Sequence, residues 1–495
     1  MLPAVKNVLH SISDKIIHIE TLGCRLNQIE SESAASFFSN DGFSVVMKSI
    51  TSKEKENPNV LLAVVNTCTV TAKAEQKARR IIRLLLKKYP LAVLIVTGCY
   101  AQVNKEEIAA IDDRIVVLPG RIKSRLSNVP SLINKIISEN NFDKVEFERS
   151  DFFEKVIFAL KKNLLSGEVG DTSEEPFKLS TDTFLHHSRS SIKIQDGCNN
   201  RCTYCEICIA RGKSISLSVE EVLLRVNKLI ESGHKEIVIT TVNIAQYRGD
   251  YKGTKADFTT LLEILLKNTK DVSFRISSLY PQIVDDRFCQ VIKDERVRPH
   301  FHLSVQSGSD EILEKMNRPY KSEIVREACR KLKEVKGNPF LACDIIAGFP
   351  TETDEDFEKT MKLLKDCDFT FVHAFPFSPR PNTVAYSMKP KVAEFITGQR
   401  VQKLLDFAFE KKIEYINSIK NTKRKAIVET SHNAAKKYGT NTFNAVTDNF
   451  LHCAVELAPG LEIPPAGSEV VIEIMRPLEN EIRHNDELEA YARLW

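Results

Sequence analysis

Gln195-Asp-Gly-Cys198-Asn-Asn-Arg-Cys202-Thr-Tyr-Cys205 is the stretch around which this chain is organised. Three cysteines stand at C-x3-C-x2-C spacing, directly after the alternating apolar run Ser191 to Gln195. Three thiolates from one tight loop can hold three irons of a [4Fe–4S] cube and leave the fourth iron open. An open iron lets a cluster bind and reduce a small molecule as well as carry electrons. Zinc patterns differ: they pair two C-x2-C knuckles or add histidines at short range. The plainer alternatives are a structural metal loop and chance clustering.

Around this loop the composition sets bounds. The chain has 495 residues, enough for two to four domains, and its hydrophobic content of 42% supplies large cores. No apolar run approaches the length of a membrane span, and Met1 to Lys15 lacks a signal peptide's apolar block. A net charge of +4 is mild, so nucleic-acid binding would rest on local patches. Twelve cysteines are too sparse for a disulfide scaffold, and several sit in loops that follow apolar strands, which favours metal ligation.

Upstream, residues 15–135 read as an open parallel α/β domain. Apolar runs at 16–19, 60–65 and 92–96 lead into Cys24, Cys68 and Cys99, and a shorter run spans 115–118. Helical patterns span Glu30 to Asn40 and Ala72 to Tyr89. In such a sheet the strands' carboxyl ends share one edge, where ligands bind. Three cysteines in equivalent positions therefore predict a second metal site, against the bland reading of small buried turn residues. The helix from Ala72 also carries Lys73, Lys77, Arg79, Arg80, Arg83, Lys87 and Lys88. This is either a solvated face or a contact for a phosphate backbone.

Residues 136–185 read as a linker with loop composition at 163–180. Downstream, 186–420 alternates six β-like runs with helical patterns, which fits a partial (β/α)6 barrel. Its strand ends would bring Asn243, Ser277, Ser278, Gln306, Ser307 and Asp344 or Gly348 around the cysteine loop. Arg380, in a proline-rich loop, and Arg211 are candidate clamps for a phosphate or carboxylate, with a surface ion pair as the alternative for each. Residues 421–495 show short strands at 424–428, 442–446 and 467–474, a small β-barrel pattern. Lys436 and Lys437, beside Tyr438-Gly-Thr-Asn-Thr-Phe443, suit RNA stacking; a packing or dimerisation module is the other reading.

The cluster loop, with aromatic Tyr204 before the last cysteine, resembles that of radical S-adenosylmethionine (SAM) enzymes. The wider pattern is similar to the radical SAM methylthiotransferase family. It is carried by Thr21-Leu-Gly-Cys24-Arg-Leu-Asn27, Asn66-Thr-Cys68-Thr-Val-Thr71, Gly98-Cys99-Tyr-Ala-Gln102, His302 to Ser309, Gly348-Phe-Pro350 and Phe375 to Arg380. The resemblance implies a radical SAM barrel, a C-terminal TRAM-like RNA-binding barrel and two [4Fe–4S] clusters, on Cys198, Cys202 and Cys205 and on Cys24, Cys68 and Cys99. SAM would bind near Tyr204, Asn243, Ser277, Gln306 and Asp344. Arg79, Arg80, Arg211, Arg380, Lys436 and Lys437 would contact RNA.

The stretches at Cys24 and Cys68 are most like the branch that adds a 2-methylthio group to N6-threonylcarbamoyladenosine (t6A) at tRNA position 37. In that chemistry SAM cleavage yields a 5′-deoxyadenosyl radical that opens adenine C2, the second cluster presents sulfur, and a second SAM supplies methyl. A cytoplasmic enzyme follows, with the tRNA anticodon loop and a flavodoxin- or ferredoxin-type electron donor as partners; its sulfur donor is not implied. Two other readings are a methylthiotransferase acting on another modified adenosine or a ribosomal-protein aspartate, and an iron–sulfur RNA-binding protein without catalysis.

The chain departs from the family pattern at Cys208 (usually proline), at Thr241, Ala245, Thr351 and Asn382 (usually glycine), at Ser304 (usually proline) and at Ser216-Leu217 (commonly Ser-Arg). Cys208 makes a second possible ligand pair with Cys205, and added Cβ atoms at glycine sites would reshape the pocket.

Overall fold

Val60-Leu-Leu-Ala-Val-Val-Asn-Thr67 is apolar along almost its whole length, as a strand covered on both faces must be. In the computed structural model it is buried throughout. The structure describes residues 9–10, 15–142, 147–165, 175–180 and 189–495, which divide into two compact units.

The first unit holds the described residues up to 180, with 196–199 and 205–215. Its sheet has β1 (Ile16–Thr21), β2 (Ser44–Val46), β3 (Val60–Thr67), β4 (Val93–Gly98) and β5 (Ile115–Val117) in the order β2-β1-β3-β4-β5, all parallel. Helices α1 (Arg25–Asn40), α2 (Ala72–Lys88) and α3 (Cys99–Val103) follow β1, β3 and β4. Thr71 starts α2, its hydroxyl accepting from the Ala74 N–H at 3.2 Å. Helix α4 (Val129–Glu139) and helix α5 (Arg149–Leu164) complete one core: Phe152, Val156, Leu160 and Leu164 pack with Ile17, Val64 and Ile95.

The stretch read as a linker therefore contributes a core helix, because its apolar spacing buries a full face. The loop expected across 163–180 lies partly outside the described residues. The pieces 196–199 and 205–215, expected in the central domain, pack with this unit, and the second piece contains the short helix α6 (Ile207–Arg211).

The second unit is a partial barrel followed by a closed one. Strands β6 (Ser190–Lys193), β7 (Glu236–Thr240) and β8 (Ser273–Ile276) form one parallel sheet in the order β8-β7-β6. The short strand Ser278–Leu279 continues β8 into a second parallel sheet with β9 (His300–Gln306), β10 (Phe340–Ala347) and β11 (Phe371–Pro376). The connecting helices are α7 (Val219–Glu231), α8 (Phe258–Asn268), α9 (Asp286–Ile292), α10 (Ser322–Lys336) and α11 (Asp354–Asp366). Helix α11 begins at Asp354 because Thr353 and Asp356 form a reciprocal capping box. A 25-residue helix α12 (Glu394–Ser418) leads to the closed barrel β12 (Lys423–Val428), β13 (Thr442–Thr447), β14 (His452–Glu456), β15 (Glu469–Pro477) and β16 (Ala490–Leu494).

The two barrels of this unit are fixed together at the amino ends of the parallel strands. Glu236, fully buried at the start of β7, takes Arg275 at 2.8 and 3.0 Å and Arg298 at 2.8 Å, with Arg189 at 4.0 Å. Arg275 also donates to the carbonyls of Thr447 and Asp448 at 3.0 and 3.1 Å. In the same turn Phe450, held at φ +73°, stacks on His300 at 4.4 Å between ring centroids. No helix among the described residues is long and apolar enough to cross a membrane.

Candidate functional site

At the carboxyl edge of the first unit's sheet, three loops converge through backbone and amide contacts. Asn27 Nδ2 donates to the carbonyls of Leu22 and Thr67, at 2.8 and 3.0 Å, tying the loop after β1 to the end of β3. Asn66 Nδ2 donates back to the Asn27 carbonyl at 3.0 Å, and Thr67 Oγ1 reaches the Thr97 carbonyl of β4 at 2.5 Å. Cys24 caps α1, Cys68 follows β3, and Cys99 opens α3.

Two glycines let the loops at this edge approach closely. A Cβ on Gly23 (φ +99°) would stand 2.5 Å from Cys68 Cβ and 2.8 Å from its Sγ. A Cβ on Gly98 (φ +97°) would stand 2.3 Å from the Thr67 carbonyl.

The electrostatics of the triad suit a cluster. Burial pushes the Cys68 thiol up to about 11, against a backbone hydrogen bond at Val70, with Cys24 and Cys99 adding to the rise and Arg211 opposing it. Burial likewise raises Cys99, opposed by Arg211 and Lys123. Cys68 and Cys99 thus lie in one electrostatic neighbourhood, with the Arg211 and Lys123 cations beside it. Arg211 donates to Asp196 at 3.0 Å to each oxygen, to Glu30 at 3.3 Å and to Asn27 Oδ1 at 2.9 Å. It was expected to clamp substrate; instead it is buried among two carboxylates and an amide and supports the cysteine edge.

The cysteine loop is shaped by close backbone approach. A Cβ on Gly197 (φ +70°) would meet the Lys213 carbonyl at 2.0 Å, and Cys198 N–H donates to the Gly212 carbonyl at 3.0 Å. Ile207 N–H donates to Cys205 Sγ at 3.5 Å. Cys208 lies one residue into α6, partly exposed. No disulfide joins any two cysteines among the described residues.

In the second unit, residues 200–204 are strapped by the turn after residues 310–315. Thr203 N–H donates to the Met316 carbonyl at 3.1 Å, Thr203 Oγ1 to the Lys315 carbonyl at 2.8 Å, and Asn317 Nδ2 to the Arg201 carbonyl at 2.9 Å. Arg318 donates to Cys202 Sγ at 3.5 Å, to Tyr280 Oη at 3.0 Å, to Tyr320 Oη at 2.6 and 2.9 Å and to the Ser304 carbonyl at 3.0 Å. Burial opposes its charge, yet the phenols of Tyr204, Tyr320 and Tyr280 and the Cys202 thiol keep its pKa above the ordinary value.

Of Asn243, Ser277, Gln306 and Asp344, all expected around SAM, three stand at the carboxyl ends of barrel strands. Gln195 Oε1 accepts from Val242 and Asn243 N–H at 3.0 and 2.9 Å, which fixes Asn243. Ser277 Oγ is buried with no hydrogen-bond partner among the described residues, and Gln306 ends β9 at φ +72°. An orphaned hydroxyl and a left-handed glutamine at one mouth fit a polar ligand such as SAM. Tyr204 packs edge-on against Phe349 at 6.5 Å. Asp344 is the exception: it sits mid-strand in β10 and faces His302 Nε2 at 3.0 Å, deeper than the mouth.

The expected RNA contacts divide. Arg80 and Lys436 are exposed. Arg79 is engaged by Tyr100 Oη at 2.8 Å and Glu107 at 3.0 Å, and Lys437 by Glu481 at 3.0 Å and Asp486 at 2.9 Å. Arg380 is buried, with 4% of its surface exposed, and so is not open to a macromolecule. Phe443 faces the core of the closed barrel, and Tyr438 donates to Glu481 at 2.5 Å, so the expected stacking platform is used for packing. The residues that sequence reasoning missed are Arg318, Tyr280, Tyr320 and His302. The proline-fixed turn Asn317-Arg-Pro-Tyr320 was the available signal for the first.

A partial parallel barrel with a C-x3-C-x2-C loop, joined to a three-cysteine α/β sheet, defines an iron–sulfur enzyme of the SAM-radical type. Residues 192–364 match the Radical SAM superfamily and 16–120 match Uncharacterized protein family UPF0004. A protein of Treponema pallidum named threonylcarbamoyladenosine tRNA methylthiotransferase MtaB is 39% identical over 92% of this chain and 98% of its own length. A protein of the same name from Aquifex aeolicus is 34% identical over 83% of this chain and 92% of its own. A tRNA-2-methylthio-N(6)-dimethylallyladenosine synthase of Anaplasma phagocytophilum is 29% identical over 81% and 84%. The chain belongs to the radical SAM methylthiotransferase family. Its cofactors are SAM and two [4Fe–4S] clusters.

Proposed function

We propose that this chain adds a 2-methylthio group to t6A at tRNA position 37. The observation that carries the reading is 39% identity, across nearly the full length of both chains, to a relative named for threonylcarbamoyladenosine. Cys198, Cys202 and Cys205 hold the cluster that binds SAM, and Cys24, Cys68 and Cys99 hold the second. When bound, these groups supply one-electron cleavage of a sulfonium, a sulfur atom and a methyl group.

The chain's own residues then have positioning roles. Gly23 and Gly98 let the triad's loops close up, and Arg211 and Lys123 offset the charge of ligated thiolates. Asn243, Ser277 and Gln306 offer polar groups to the amino-acid end of SAM. Arg80 and Lys436 are exposed cations for an anticodon loop, whose unpaired adenine can be splayed out of the strand. A flavodoxin- or ferredoxin-type donor supplies electrons, and a tRNA substrate makes the compartment the cytoplasm.

The test is nucleoside mass spectrometry of tRNA from cells with and without the gene. Loss of 2-methylthio-t6A with accumulation of t6A is expected. Unchanged 2-methylthio-t6A sinks the reading and favours a protein aspartate or another adenosine as target.

A further inference from the structure

We infer that Arg318 is a positioning residue that raises the reduction potential of the cluster at Cys198, Cys202 and Cys205 by donating a hydrogen bond to the Cys202 sulfur. The inference rests on the assignment of those three cysteines as cluster ligands.

The geometry is specific. One terminal nitrogen of Arg318 spans Cys202 Sγ, at 3.5 Å, and Tyr280 Oη, at 3.0 Å. The other nitrogens are taken by Tyr320 Oη and the Ser304 carbonyl. Its carbon lies 4.6 Å from the Tyr280 ring centre and 5.0 Å from that of Tyr320, so two aromatic faces hold the cation. Tyr280 is held in turn: Asn200 donates to its Oη at 3.2 Å and receives Gln246 at 2.8 Å. These acceptors are phenols, a carbonyl and one thiol. A cation placed this way, on a ligand sulfur and not on a carboxylate, favours a partner that gains negative charge.

Cluster potentials follow net charge and hydrogen bonds to the sulfurs. Reduction adds one negative charge, which an N–H donor and a guanidinium at a ligand sulfur both stabilise. Removing them makes the cluster harder to reduce. The three hydrogen bonds between residues 315–317 and the loop (two donated by Thr203, one by Asn317) hold the ligand in place but add no charge at sulfur. Support of the loop and tuning of the potential are therefore separable.

The experiment is a redox titration followed by electron paramagnetic resonance, on the full chain carrying Cys68→Ala so that one cluster is read, with iron and sulfide assayed in parallel. Arg318→Met is expected to retain iron and to shift the midpoint negative by a tenfold change in the one-electron equilibrium, about 59 mV. Arg318→Lys, which keeps the charge, is expected to recover part of the shift. An unchanged midpoint with iron retained overturns the inference while leaving the cluster assignment intact. If Arg318→Met loses iron, Arg318→Gln is read instead: a negative shift supports the role and the parental midpoint overturns it. Cys202→Ala is the control for the ligand assignment itself; if it keeps the full iron content, the assignment fails, not the tuning.

Discussion

Replacing Glu236 with glutamine tests how the second unit is held together. The carboxylate is fully buried against Arg275 and Arg298, with Arg189 close by. Burial alone would raise its pKa, but Arg275, Arg298 and Arg189 hold it down at about 2, from an ordinary 4.5. At about 1.4 kcal/mol per pKa unit, this shift is worth about 3 kcal/mol above pH 4.5. The same order, about 3–5 kcal/mol, is expected when one partner of a buried ion pair is removed.

Because the folded pKa is depressed, the stabilisation is complete above the unfolded value and is lost as pH falls through the folded one. The gap between wild type and Glu236→Gln should therefore be about 3 kcal/mol at pH 7 and narrow to about 2 kcal/mol at pH 3.5. Urea unfolding of the apoprotein at both pH values measures it. A cost below about 1 kcal/mol at pH 7, or a gap that does not shrink in acid, refutes the reasoning.

Cys24→Ala, Cys68→Ala or Cys99→Ala should each remove about half the bound iron, and Cys198→Ala the other half, by colorimetric iron and sulfide assay. Arg211→Met strips the shared cation from Asp196 and Glu30; it should cost about 3–5 kcal/mol in denaturant titrations and reduce iron at the Cys24 triad. Gly98→Ala places a Cβ 2.3 Å from the Thr67 carbonyl at a left-handed residue, so a fall in melting temperature and loss of the same iron are expected. Cys208→Ser should leave iron content and SAM cleavage unchanged, as measured by 5′-deoxyadenosine release; a loss of either would make Cys208 a ligand.

The strands were legible because their periodicity is strong and their boundaries are chemically marked. Val60–Thr67 and Ala72–Lys88 fall where the run at 60–65 and the helical pattern from Ala72 place them, the second because Thr71 caps it. Helix α12 escaped notice because Phe407, Lys412 and Tyr415 are all buried in it, so charge breaks the apolar stripe. Strands β14 and β16 were missed because five-residue runs carry little pattern of their own.

The cysteines announced themselves by position after strands. The arginines did not: Arg211, Arg380, Arg275 and Arg318 read alike in sequence, and only packing shows which are buried supports. Thr351 is a further case. It adopts φ +72° where the family pattern has glycine, and its hydroxyl accepts from Lys315 at 2.7 Å. The left-handed backbone there costs about 1–2 kcal/mol, which no spacing rule reveals.

The Phe450 turn has a consequence for how a long substrate is chosen. With Phe450 stacked on His300 and Arg275 bound to the consecutive carbonyls of Thr447 and Asp448, the closed barrel is not a module on a tether. It works as the fixed jaw of a caliper. If the closed barrel grips the tRNA of the proposed function, it would present that RNA to the parallel barrel at one set distance, and selection would act on the length and bend of the molecule before any base is inspected.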